Sequence, residues 1–364
     1  MRPIKLFGGD SPGGLRLPPA KASRRNLYGP RGVTIHGNDL IVCDTGNHRV
    51  LIYKDFVESG RYDADIVIGQ DDFDSERHCS SEAKSGLYMP TQAEVIDDYL
   101  VVADSWHHRL VVFDYDSNGE PSQHAVCVIG QNDLNSIDAN QGSNDPSANS
   151  LYWPFGFVVL NDSLFVADTG NRRVLAWSMS RFPDLESARL VLGQNSMFER
   201  EENRGELAGD TFRWPHALDG TEEMLFVADA GNHRVLGFNQ TKLKEPAQVI
   251  IGQTGPFENS EWPYGPQSAT KLRFPYGLSV DKGRLAVADT ANNRVLIYRK
   301  LPRGYGEGAD HVLGQVNFEQ NGENRWQTVA SDTFCWPYGV DMVGNLLAVA
   351  DSGNNRVAIW KLEE

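Results

Sequence analysis

Hydrophobic residues fall in short runs that recur along the whole chain. The stretch from Phe274 to Gln315 reads "FPYGLSVDKGRLAVADTANNRVLIYRKLPRGYGEGADHVLGQ". It holds four apolar runs, GLSV, RLAVAD, RVLIY and HVLGQ, each rich in Val, Ile or Leu and bounded by turn residues. Such runs predict β-strands. No run keeps the apolar spacing of a helix over three turns. Between the second and third runs other copies read Asp-Thr-Gly-Asn. That is a tight-turn sequence: Gly and Asn tolerate positive φ, and Asp bonds nearby backbone N–H groups. One unit is therefore expected to be a four-stranded antiparallel sheet.

The unit repeats six times. Its Asp falls at Asp44, Asp104, Asp168, Asp229, Asp289 and Asp351, in steps of 60, 64, 61, 60 and 62 residues. An Arg tracks it five places on, at Arg49, Arg109, Arg173, Arg234, Arg294 and Arg356. A proline precedes each phrase at Pro30, Pro90, Pro154, Pro215, Pro275 and Pro337, and a Gly-Gln pair follows the first five, ending at Gln70, Gln131, Gln194, Gln253 and Gln315. A lone small sheet cannot bury both faces, whereas sheets set around an axis can, with only short edges left over. The expected fold is all-β: a six-bladed β-propeller of four-stranded antiparallel blades, one domain over residues 1–364. The last phrase, "RVAIWKLEE", supplies only a third strand, and "IKLFGGD" near the start matches the fourth-strand pattern "VIGQDD". Residues 4–9 are thus predicted to pair with residues 356–361 as the outer strand of blade six, closing the ring.

Composition narrows the setting. Forty per cent hydrophobic residues suffices for a packed core. No apolar run approaches the length of a membrane span, and "MRPIKLFGGD" lacks a signal-type apolar stretch. Cys43, Cys79, Cys127 and Cys335 show no CxxC pairing, which favours a reduced, cytoplasmic location. The net charge of −15 argues against nucleic acid. The loop before Pro154 carries Asp133, Asp138 and Asp145 and no Lys or Arg; only the first loop is basic, through Arg16, Lys21, Arg24 and Arg25.

The phrase (V/A)-D-x-G-N-x-R-V, with P-x-G upstream, resembles the NHL repeat. The resemblance covers essentially the whole chain. Copy five carries Ala291 in place of Gly, and copy two departs further, as "ADSWHHRLVVF", with Trp106 for Gly and His107 for Asn. The resemblance implies a propeller, in many cases six-bladed. It says little about function: NHL propellers include protein-binding scaffolds, RNA-binding modules, extracellular sensor domains and a peptidylamidoglycolate lyase.

A residue needed in every blade serves something common to every blade. The six Asp, six Arg and five Gln are therefore expected to be structural, with Asp capping its turn, Arg bonding a neighbouring turn or strand end, and Gln bonding backbone between blades. The residues between Asn and Arg, His48, His108, Arg172, His233, Asn293 and Asn355, are expected to point outward from the turn tip. Function is expected where the copies differ, on the face that carries the long loops after Gly-Gln. Before the prolines stand Gly29, Met89, Trp153, Trp214, Phe274 and Trp336; after them stand Arg31, Thr91, Phe155, His216, Tyr276 and Tyr338. The first set fits gaps between blades. The second set, Arg31, Phe155, His216, Tyr276 and Tyr338 above all, is the candidate ligand or partner rim. Trp106 and His107, in the one rewritten turn, join it as candidate partner contacts; successive strand residues point opposite ways, so His107 and His108 are not expected on one metal. Three places further on, Glu94, Asp219 and Asp341 fall in alternate blades and form a candidate site for Ca²⁺ or another divalent cation, against the alternative of carboxylates facing water or a neighbouring blade. No GxSxG, HExxH, Walker or dinucleotide-binding motif is present. The leading expectation is a protein- or peptide-binding scaffold. The alternative is a metal-dependent hydrolase or lyase, with the cation near the axis and His216 as acid–base.

Overall fold

The computed structural model describes residues 1–8, 21–77, 86–262 and 265–363; Arg16 and Cys79 lie outside them. The described residues form 24 strands in six four-stranded sheets. Blade one is built from Gly32–His36, Asp39–Asp44, Arg49–Tyr53 and Ile66–Ile68, in that order outward from the axis. The inner strands of the other blades run over Pro90–Ile96, Pro154–Leu160, Pro215–Gly220, Pro275–Asp281 and Pro337–Val343. Each inner strand contacts the inner strands of both neighbouring blades, and blade six contacts blade one. Six clusters of buried apolar side chains lie between successive blades; one joins Val33, Leu40 and Leu51 of blade one to Ala348, Val357 and Ile359 of blade six. This explains why the second and third strands read as unbroken apolar runs. A neighbour covers each face, so no face calls for polar alternation.

Blade six is completed from the other end of the chain. Arg2–Phe7 pairs antiparallel with Arg356–Lys361, from Arg2 opposite Lys361 to Phe7 opposite Val357. The strand begins two residues before the expected start at residue 4, and residue 9 lies outside the described residues. Gly8 occupies the place of the Gly in the other Gly-Gln pairs. Its φ of +102° matches +90° at Gly69 and +95° at Gly130, and a Cβ there would stand 2.5 Å from the Asn355 carbonyl oxygen. The equivalence read from sequence is therefore geometric as well.

The repeated phrase is a strand, a single 3₁₀ turn and a strand, held by a buried ion pair. In blade five, Asp289 Oδ2 accepts from Arg294 Nε at 2.7 Å and from Asn292 Nδ2 at 2.9 Å. Asp289 Oδ1 accepts from the Arg273 N–H at 2.7 Å, sixteen residues upstream. The Asp does not cap its own turn, as expected from sequence; it anchors the segment that leads into the inner strand. Arg294 donates to the Phe318 carbonyl at 2.6 Å and to the Ser268 and Lys271 carbonyls at 3.0 Å each. Phe318 lies in the loop leaving blade five, and Ser268 and Lys271 lie in the loop entering it. One guanidinium thus ties down the ends of two loops. The same pair closes in the other five blades, with Nε–Oδ2 distances from 2.7 to 3.1 Å. The repeated Gln acts within its own blade rather than between blades: Gln315 Nε2 donates to the Asn293 carbonyl at 2.9 Å and to the Gly322 carbonyl at 2.8 Å.

Arg234→Ala leaves Asp229 buried without its counter-charge and should lower the unfolding free energy by about 3–5 kcal/mol in urea titration. Arg234→Lys should recover little of it, because an ammonium cannot reproduce the planar fork. Deleting residues 1–7 should lower Tm in one cooperative transition; melting unchanged from the parent would mean the ring does not depend on its latch.

Candidate functional site at the axial mouth

The rest of the repeated turn reaches across to the next blade. Thr45 Oγ1 donates to the Pro90 carbonyl at 2.7 Å, Ser105 Oγ to the Pro154 carbonyl at 2.6 Å and Thr290 Oγ1 to the Pro337 carbonyl at 2.6 Å. Thr169 reaches Pro215, and Ser352 reaches Pro30, in the same way. The turn glycine makes room for the segment that enters its own blade: a Cβ on Gly46 would meet the Tyr28 carbonyl oxygen at 2.6 Å. Where Ala291 and Trp106 replace it, the corresponding backbone hydrogen bond stretches to 3.1 and 3.2 Å, against 2.8 Å at Gly46.

The residue before Arg was expected to point outward, and the structure corrects this. It adopts the left-handed conformation, with φ between 52° and 57° in all six turns. Its side chain accepts a hydrogen bond from the residue before the next blade's proline. His48 Nδ1 takes the Met89 N–H at 3.3 Å, His108 Nδ1 the Trp153 N–H at 3.2 Å and His233 Nδ1 the Phe274 N–H at 3.3 Å. Asn293 Oδ1 takes Trp336 and Asn355 Oδ1 takes Gly29, both at 2.9 Å. These five acceptors hold their partners at φ of 50° to 53°. That conformation is costly for a non-Gly residue, and before a proline it needs support from outside. Arg172 has no acceptor to offer. Its partner Trp214 turns its N–H instead to Asp229 Oδ1 at 3.3 Å and is absent from the positive-φ residues. Burial pushes His108 and His233 down to about 4, so both are neutral acceptors at neutral pH.

The latches fix the residues around the prolines, and those residues form the mouth of the axis. The post-proline set closes into a ring. Arg31 lies over Tyr338 with its guanidinium carbon 4.8 Å from the ring centroid. Tyr338 stacks on Tyr276 at 4.8 Å, Tyr276 meets His216 at 4.5 Å and His216 meets Phe155 at 4.3 Å. At blade two, Thr91 is too short to continue; its hydroxyl donates to the Phe155 carbonyl at 2.8 Å. Trp106 fills the gap, 5.9 Å from Phe155 and 5.9 Å from Arg31. The rewritten turn of copy two therefore completes the rim. His107 does not join it. It is buried, and Nδ1 lies 2.8 Å from Asp104 Oδ2, the place that Asn holds in the other turns. The pre-proline residues add an outer tier, with Trp153 5.7 Å from Trp106, Trp214 stacked on Phe274 at 6.2 Å, and Trp336 44% exposed. They line the opening as well as the seams between blades.

The family profile for the NHL repeat matches residues 27–53, which span the entry segment and first three strands of blade one. NHL repeat-containing protein 2 of Gallus gallus is 25% identical over 378 residues, covering 95% of this chain and 48% of that protein. The chain is a six-bladed β-propeller whose first blade matches the NHL repeat. It spans about half the length of this curated relative. Among solved structures, an auxiliary nutrient binding protein from Bacteroides thetaiotaomicron superposes with a TM-score of 0.53 at 11% identity, over 99% of this chain and 72% of that one. Kuenenia stuttgartiensis hydrazine synthase gives 0.51 at 13% identity, over 92% and 96%. At these identities the likeness is one of fold alone.

Below the mouth of the propeller runs a channel of about 340 Å³, lined by the inner strands of all six blades. Glu94, Asp219 and Asp341 lie on its wall. Among the described residues, no three His, Cys, Asp or Glu come close enough to share a metal ion. The candidate divalent-cation set is thus not assembled, and the reason is local. Asp219 Oδ2 accepts the Val280 N–H of blade five at 2.6 Å, and Asp341 Oδ2 accepts the Ile35 N–H of blade one at 2.6 Å. Gln92 makes the equivalent staple from blade two, exchanging hydrogen bonds with the Phe157 N–H and carbonyl at 2.9 Å each. Asp219 and Asp341 thus face a neighbouring blade, the alternative read from sequence, while Glu94 bonds only Gln92 of its own strand, at 3.3 Å.

Burial, then the neighbouring Asp219 and Asp341, push Glu94 up to about 8. Burial raises Asp219 to about 7 and Asp341 to about 6, against the opposing pull of backbone N–H donors. His216, next to them on the wall, is pushed down to about 3 by burial and then by the Arg31 charge. The folded state thus holds protons on Glu94, Asp219 and Asp341 that the unfolded chain has already released. Their contribution is present below about pH 4.5 and declines as pH rises to about 8. Removing Glu94 should flatten this decline. Thermal melts of Glu94→Gln should show a smaller loss of Tm between about pH 5 and pH 8 than the parent, and equal losses would contradict the assignment.

Proposed function

We propose that this NHL propeller is a binding scaffold that docks a protein or peptide on its long-loop face and seats an anchoring side chain in the axial mouth. The closed ring of Arg31, Trp106, Phe155, His216, Tyr276 and Tyr338 carries this reading. Aromatic and Arg side chains held rigidly around a concave opening are the usual material of binding hot spots. The surrounding loops supply further contact area: Phe198 and Phe257 occupy the same place in the loops after blades three and four and are 68% and 75% exposed. The acidic chain, at −15, suits a basic partner. Cys43, Cys127 and Cys335 are free thiols, which fits a reducing, cytoplasmic setting. Among the described residues no helix is long and apolar enough to cross a membrane.

The test compares faces. Tyr276→Ala and the exposed pair Phe198→Ala/Phe257→Ala alter the long-loop face; Lys282→Ala alters an exposed hairpin tip at the other end of blade five. Proteins retained from native extract by the parent should fall by roughly ten-fold with the first two variants and persist with the third. Equal retention by all three would place binding elsewhere.

A further inference from the structure

The channel floor holds a chemistry that the rim does not use. Glu94, Asp219 and Asp341 stand three residues inward from Thr91, His216 and Tyr338, roughly 10 Å deeper at strand rise. Glu94 is the least restrained of them: its one hydrogen bond among the described residues comes from Gln92 Nε2 at 3.3 Å. Three carboxyl groups facing one narrow channel repel each other when ionised, and one cation on the axis relieves all three. They are too far apart to ligate a bare ion together. An ammonium group suits the wider spacing, because its three donors each reach to hydrogen-bond length in different directions. The wall above is aromatic, and ring faces attract an ammonium group and sheathe an alkyl stem. His216 adds an acceptor, since its buried Nδ1 has no hydrogen-bond partner among the described residues. Arg31 sets the direction. Its guanidinium lies at the rim, so the axis is positive at the mouth, and a cation entering at depth would draw the protons off the carboxyl groups there. That polarity suits a ligand whose anionic end stays outside while its cationic end goes in.

We propose that the axial channel binds a lysine side chain whose own free carboxylate rests beside Arg31, that is, the last residue of a peptide ending in lysine. The four-carbon stem crosses the aromatic tier, and the ammonium group sits among Glu94, Asp219 and Asp341. This inference rests on the peptide-binding reading above and names the chemistry of its anchor.

Nα-acetyl-lysine is the direct probe. Saturation-transfer difference NMR with the full chain compares it with Nα-acetyl-norleucine, which keeps the stem and lacks the ammonium, and with Nα-acetyl-lysinamide, which lacks the carboxylate. Acetyl-lysine should bind at least roughly ten-fold tighter than either analogue. Glu94→Gln/Asp219→Asn should erase its advantage over norleucine, and Arg31→Gln its advantage over the amide. The Arg31→Gln comparison stands even if the double variant does not fold. Equal binding of acetyl-lysine and acetyl-norleucine, or no acetyl-lysine signal at about 10 mM, overturns the proposal. Face-dependent partner retention is read without this probe, so the scaffold reading stands or falls by its own measurement.

Discussion

Six buried Asp–Arg pairs carry this propeller. Each is sealed from solvent, or nearly so, at a place where backbone would otherwise be left unpaired. In the described residues, loop-end carbonyl groups point at these guanidiniums, as those of Phe318, Ser268 and Lys271 do in blade five. The guanidinium receives them, three at a time in blade five, while the carboxylate anchors the next N–H upstream. A buried ion pair alone is weak support, because desolvation offsets most of its attraction. Five of these pairs differ in that both terminal nitrogens of the guanidinium are spent on backbone carbonyls, which must be satisfied in any case; in blade six only Nη2 of Arg356 is so used. Fixed loop ends are also what a binding face requires.

The mouth inherits its rigidity from this frame through a second layer of bonds. Hydroxyls of Thr45, Ser105 and Thr290 hold the proline carbonyls of the following blades, and His or Asn side chains hold the N–H groups just before them. The rim side chains sit one residue further on, so their positions follow from the turns of the preceding blade. The seam from blade three to blade four is built differently, since Arg172 offers no acceptor and Trp214 bonds back within its own blade.

Much of this was legible in the sequence because the chain states it six times. Blade number, strand order, the buried role of Asp and Arg, and the outer strand at Arg2–Phe7 all follow from spacing. The candidate rim was legible too, since a propeller brings equivalent positions together around one axis. What escaped was which residues of the turn bond the next blade. His48 and Asn355 look like solvated turn tips until their acceptors are seen facing the next blade; the signal available was that five of those six residues can accept a hydrogen bond and one cannot. The acids at Glu94, Asp219 and Asp341 were placed in the right channel, but composition could not show that backbone N–H groups already claim Asp219 and Asp341. Nor is difference between copies always functional: Trp106 restores a ring that Thr91 leaves open.

The most direct measurement is a double-mutant cycle on Asp289 and Arg294, using Asp289→Asn, Arg294→Met and their combination in urea unfolding. Each single change strands a buried group, and the double change removes both, so the account predicts a coupling energy on the order of 2–3 kcal/mol. Additive losses, with coupling below about 0.5 kcal/mol, would mean that the pair does not carry the turn and that the loops are held by something else.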